Sequence, residues 1–83
     1  MIVNRGLCDI LQVLYKQKGP LKAGEISKIV GISQPLSSQR LNTLKKYKLV
    51  TSKKVANVVY YEIDKINLIA VENLIEAYNG LQN

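Results

Sequence analysis

The sequence predicts a mainly α-helical fold with one β-hairpin, in the order α-α-α-β-β-α. Three observations predict it. Apolar residues recur at helical spacing in four stretches, each bounded by capping or helix-stopping residues. Between the third and fourth lie two short runs, LVTSKKV (49–55) and VVYYEI (58–63), rich in β-branched and aromatic residues and joined by Ala56-Asn57. The 83 residues suffice for one small domain over 1–83, and a chain so short buries only about 60–65% of its unfolded surface.

Residues 4–18 read as the first helix. Asn4 is placed to cap it, and Leu7, Ile10, Leu11 and Leu14 repeat at i, i+3, i+4, i+7. Gly19-Pro20 stops it. Cys8 and Val13 lie off this stripe and Tyr15 near its edge, so the helix is expected to bury more than one side. Residues 22–30 form a shorter second helix, preceded by Leu21 and with Ile26, Ile29 and Val30 inward. Its N-terminus, with Lys22 and free backbone N–H groups, suits a phosphate.

Gly31 then supplies a sharp turn, Ile32 fills the corner, and Ser33 caps a third helix whose first turn accepts Pro35. That helix covers about 34–47. Its core stripe is Ser37, Leu41, Leu44 and the aliphatic stem of Lys48, with the Ser37 hydroxyl expected on the carbonyl four residues back. Its other faces carry Gln34, Ser38, Gln39, Arg40, Asn42, Thr43, Lys45 and Lys46, with no acidic residue among them.

In the hairpin, Asn57 supplies a position able to take positive φ, and Val59, Tyr61 and Ile63 share the face toward the helices. Lys53 and Lys54 fall near the ribbon's tip. The last helix covers about 65–79, with Asp64 or Asn67 as its cap and Gly80 after its end. Ile66, Ile69, Ala70, Leu74 and Ala77 make one stripe, and Leu68, Val71, Ile75 and Tyr78 a second. A helix apolar over so much of its circumference is buried on two sides. So small a core covers only one, and a second copy of the chain is expected on the other.

Charge is unevenly placed. Twelve Lys and Arg against six Asp and Glu give +6. Residues 27–61 hold seven basic residues (Lys28, Arg40, Lys45, Lys46, Lys48, Lys53, Lys54) and no acid, whereas 62–83 hold four acids and only Lys65. A positive field over the middle of the chain suits phosphate binding, although a solvated lysine-rich surface would look the same by charge alone.

The succession of two helices, a turn, a third helix, a basic hairpin and a last helix resembles the winged helix-turn-helix repressors of the ArsR/SmtB type. The residues that carry the resemblance are Gly31-Ile32-Ser33-Gln34-Pro35, then Ser38, Leu41, Leu44, Leu49-Val50, and Val59-Tyr60-Tyr61 closing the wing. The resemblance implies a homodimer built through the first and last helices, here Leu7, Cys8, Leu11, Leu68, Val71, Ile75 and Tyr78. It places two recognition helices in successive major grooves of double-stranded DNA. The family's base-reading positions fall on Gln34, Ser38 and Gln39, with Arg40 beside them; Gln and Arg can each pair two hydrogen bonds to a purine edge. Phosphate contacts fall to Lys22, Ser37, Thr43, Lys46, and to Lys53, Lys54 and Asn57 of the wing.

The chain departs from that family at three points. Arg40 stands where histidine is frequent, and Lys48 stands where glycine usually precedes Leu-Val, which demands a left-handed backbone of a lysine. The metal-sensing members bind ions through Cys and His on the second or last helix; KAGEISKIV and NLIAVENLIEAY contain neither. No metal site and no cofactor are therefore expected. Glu72 and Glu76, one turn apart, read as a solvated acidic face.

Without histidine there is no catalytic triad, and no glycine loop cradles a phosphate, so no enzyme is expected. A single cysteine excludes an intrachain disulfide; Cys8 is either a small buried hydrophobe or half of a disulfide between subunits. No run approaches a membrane span and no secretory signal opens the chain, so a cytoplasmic location is expected, in a host cell if the source is viral. The lysine bias, ten to two over arginine, points to an AT-rich genome, and in this the chain is similar to small winged-helix proteins of archaeal viruses and plasmids. The function expected is a sequence-specific transcription regulator, a repressor, binding an inverted repeat as a homodimer. Two alternatives stand beside it: a winged-helix adaptor for protein contact through Leu36, Val55 and Val58, and a non-specific DNA-coating protein.

Overall fold

A computed structural model describes residues 4–17 and 19–82, and of Leu81 and Gln82 only the backbone. The elements in order are α1 (Arg5–Gln17), β1 (Leu21–Lys22), α2 (Ala23–Val30), α3 (Gln34–Lys46), β2 (Val50–Val55), β3 (Val58–Ile63) and α4 (Leu68–Gln82). A single 3-10 turn (Lys65–Asn67) leads into α4. The order matches the expectation except for β1, which has two residues and no periodicity to betray it. It pairs antiparallel with β3, Leu21 opposite Tyr61 and Lys22 opposite Tyr60, giving a three-stranded sheet in the order β1-β3-β2.

Local chemistry sets the helix ends. Asn4 caps α1, its Oδ1 accepting from the Leu7 N–H at 3.0 Å. The expected last residue of that helix, Lys18, lies outside the described residues. Gly31 closes α2 at φ 82°, and Ser33 caps α3 by accepting from the Leu36 N–H. Helix α3 ends without glycine. Lys48 takes φ 62° while its N–H donates to the Lys45 carbonyl and that of Leu49 to the Leu44 carbonyl, so the last carbonyls are satisfied at the cost of a left-handed lysine. Lys48 is exposed, which removes its stem from the core stripe. Asn67 fastens the same corner by donating from Nδ2 to the Lys48 carbonyl at 2.7 Å. Asp64 caps the 3-10 turn, accepting from the Ile66 N–H. The last helix thus begins later than the periodicity implied, and it runs through Gly80, which does not end it.

The core gathers Leu7, Ile10, Leu11 and Leu14 of α1, Ile26 of α2, Leu41 and Leu44 of α3, Leu49, Val50, and Val71 of α4. Ser37 joins them fully buried. Its hydroxyl donates across to the Ala23 carbonyl at 3.3 Å rather than back along its own helix, so it links α3 to the start of α2. Ile29, expected inward, is 52% exposed, because the inward line of α2 runs through Ala23, Ile26 and Val30 and leaves it to one side. Tyr61 and Ile63 pack on the core as their shared face requires, but Val59, nearer the tip, is exposed.

The expected subunit interface needs correction. Leu7, Cys8, Leu11 and Val71 are each 0–6% exposed because α1 packs on α2, α3, β3 and α4 within the chain, so these side chains are already consumed by its own core. Cys8 at 2% exposure is the buried hydrophobe of the two readings; a disulfide to another copy would require opening the core. Burial, with Asp9 adding to it, pushes its thiol pKa upward. Ile75 and Tyr78 flank Val71 on the inner side and are half-buried, whereas Leu68, at the start of the helix, is exposed. Most of the other stripe lies open: Ile66 of the 3-10 turn is 93% and Ile69 75% exposed, with Ala70 and Ala77 in line, while Leu74 of that stripe packs on the core. No helix of the described residues is long and apolar enough to cross a membrane.

Candidate nucleic-acid interface

Because Ser37, Leu41 and Leu44 fix the inward line of α3, the directions of its polar residues follow from the helical repeat. Gln39 points directly outward and is exposed, with Asn42 and Lys46 one and two turns further along the same line. Gln34 and Ser38 face one flank. There they border a groove completed by Gly24, Ser27 and Lys28 of α2 and by Asn57, Val58 and Val59 at the wing tip. The Gln34 side-chain oxygen lies over Gly24, where a β-carbon would come within 3.4 Å of it. Arg40 takes the opposite flank, toward α1, with its guanidinium against Gly6. The four residues expected to read bases therefore occupy three directions rather than one. Asn42 and Lys45, exposed on the same open surface, were absent from the expected site; their spacing from Gln39 and Ser38 is the signal that would have found them.

The residues expected on phosphates also divide. Ser37 is fully buried with its hydroxyl donated to Ala23, so it cannot reach a phosphate. The Thr43 hydroxyl donates to the Gln39 carbonyl at 3.2 Å and remains part-exposed. Lys22 and Lys46 are exposed. At the start of α2 the Glu25 carboxylate turns back to accept from the Lys22 N–H at 2.9 Å, so this helix N-terminus carries a negative group of its own. An incoming phosphate would compete with it.

In the wing, Ala56 and Asn57 form the two-residue turn, both with positive φ (49° and 69°). That pairing follows the right-handed twist of a hairpin; the turn is the expected Ala56-Asn57, and the positive φ expected of Asn57 is shared by Ala56. The register separates the two lysines. Lys54 stands opposite Val59, on the face shared with Tyr61 and turned toward the helices, whereas Lys53 stands opposite Tyr60 on the outer face. Both are exposed. Among the described residues, no group of three or more His, Cys, Asp or Glu is placed to hold a metal ion.

Residues 6–52 match the family described as bacterial regulatory protein, arsR family. No curated protein matches the chain. Several solved structures share its fold. One is the homodimeric winged helix-turn-helix DNA-binding domain of a possible ArsR-family transcriptional regulator from Mycobacterium bovis, with 22% identity and a TM-score of 0.77 over 93% of this chain and 69% of that one. MepR, a transcription regulator of the Staphylococcus aureus multidrug efflux pump MepA, aligns at 20% identity and TM-score 0.81 over 96% of this chain and 61% of its own. YusO of Bacillus subtilis aligns at 17% identity and TM-score 0.82 over 96% and 58%. The chain thus spans less than two thirds of MepR and YusO.

Proposed function

The chain belongs to the arsR family of bacterial regulatory proteins, and from that premise we propose that it represses transcription as a homodimer on an inverted-repeat operator in double-stranded DNA. The observation that carries this reading is the outer surface of α3. Gln39, Asn42, Lys45 and Lys46 face solvent together beside the half-buried Ser38, with no carboxylate on that helix to repel a phosphodiester backbone. In this reading Gln34, Ser38, Gln39 and Arg40 contact bases, with Asn42 added to them. Lys22, Thr43, Lys46, Lys54 and Asn57 hold the backbone and supply affinity without sequence information.

Two further facts support the dimer. The described chain measures 40 × 27 × 22 Å and carries one such helix. A second major groove, about 34–36 Å away along the duplex, therefore calls for a second copy. The exposed stripe of Ile66, Ile69, Ala70 and Ala77 is the apolar surface that a second copy would cover.

Selection of bound sequences from a random duplex pool tests the whole reading. The expected product is an inverted repeat with half-site centres one helical turn apart. A lone half-site would sink the dimer. Salt-sensitive binding with no enriched sequence would make the protein a DNA coat. Absence of duplex binding even at low salt would favour an adaptor docking through Val55, which is 48% exposed, Val58 and Leu36.

A further inference from the structure

Arg40 and Gly6 meet in a way that neither helix alone explains. A β-carbon built on Gly6 would lie 2.7 Å from Cζ of Arg40, 2.8 Å from Nη1 and 3.0 Å from Nε. Three atoms of one planar group at nearly equal distance mean that the guanidinium lies flat over the bare α-carbon. Gly6 is the second residue of α1 and is not among the residues with positive φ. Its backbone therefore makes no demand for glycine, and what glycine supplies here is space. Arg40 itself is half-buried, and among the described residues no group takes any of its five N–H donors in a hydrogen bond or ion pair.

We infer that Gly6 is a positioning residue for DNA recognition: a flat platform on α1 that holds the Arg40 guanidinium and turns its N–H edge outward for paired acceptors. This rests on the reading of the chain as a DNA-binding regulator. The chemistry recognised is two acceptor atoms side by side, supplied either by guanine O6 and N7 or by the oxygens of a phosphodiester. Packing one face of the fork removes orientations that a free arginine would have to give up on binding, so the contact gains both affinity and a fixed direction. Lysine, with no plane to stack and no fork, could not use the platform.

Gly6→Ala separates this role from a merely structural one. The atoms it displaces are the far end of a flexible side chain, so the helix accepts the methyl group by moving Arg40. Alanine is also the better helix former, and the thermal midpoint is expected to stay or rise. Binding of the full chain to its selected duplex should nevertheless weaken by roughly three- to tenfold, within the range that one bidentate contact can govern. Arg40→Ala and Arg40→Lys should show the same kind of loss, and Gly6→Ala should add nothing in an Arg40→Ala background. Repeating the duplex selection with each variant identifies the acceptor. Relaxation at one base pair per half-site means a guanine edge, and uniform weakening with a salt slope lower by about one means a phosphate; either pattern, shared by both single variants, supports the inference. Wild-type affinity in Gly6→Ala beside an impaired Arg40→Ala would overturn it, as would additive losses in the double variant. A wild-type chain that binds no duplex at all would remove the DNA reading itself, and this role with it.

Discussion

Lys48 holds a left-handed backbone at φ 62°, a conformation that costs an L-residue about 1–2 kcal/mol. It persists because the corner around it is over-determined. Its N–H and that of Leu49 close the end of α3, its carbonyl accepts from Asn67, and Leu44 and Leu49 are both buried beside it. Lys48→Gly should keep all of these bonds and relieve the strain. Allowing for the extra freedom glycine gives the unfolded chain, the net gain is about 0.5–1 kcal/mol. That corresponds to a thermal midpoint higher by roughly 2–8 °C; a midpoint that falls would mean that the lysine side chain contributes more than its backbone costs. The strained position itself was legible, since a lysine stands before Leu49-Val50 where a turn must be made. The partner of Ser37 was not. Its hydroxyl reaches Ala23, a contact fixed only when α2 and α3 cross.

At the scale of elements, the wing divides what the sequence presents as a Lys53-Lys54 pair. Strand alternation sends Lys54 to the face that looks toward α3 and Lys53 to the outer face beside Tyr60. Lys54→Ala should therefore weaken duplex binding several-fold and lower the salt slope by about one, with Lys53→Ala having at most half that effect. Equal slopes for the two variants, read from affinity against salt concentration, would contradict the facing. The element order, the caps at Asn4 and Ser33 and the core line of α3 could be read from spacing because each is local. Strand β1 could not, because two residues carry no pattern and pair only once β3 has been brought beside them. For the same reason Arg40 looked like a neighbour of Gln39, although α1 draws its guanidinium to the other flank.

For the whole molecule, the decisive feature is which side of α4 the chain covers for itself. Sequence shows two apolar stripes of nearly equal merit, and nothing local ranks them. Packing α1 against Val71 ranks them, leaving Ile66 and Ile69 outside. In the proposed dimer, the double substitution Ile66→Glu, Ile69→Glu should leave the thermal midpoint of the single chain nearly unchanged, since surface changes away from packed features usually stay within about 0.5 kcal/mol. It should also yield monomers by sedimentation and reduce operator affinity by more than about tenfold, because paired half-sites no longer act together. A dimer that survives both charges would place the interface elsewhere. The short strand β1 also has a mechanical consequence. It braces β3 at Tyr60 and Tyr61, so the root of the wing is three strands wide while the stretch from Lys54 to Val59 is only two. The wing is in effect a tapered cantilever clamped at the foot of α2, and in the proposed complex its two-stranded tip would follow small changes in groove width without tilting α3.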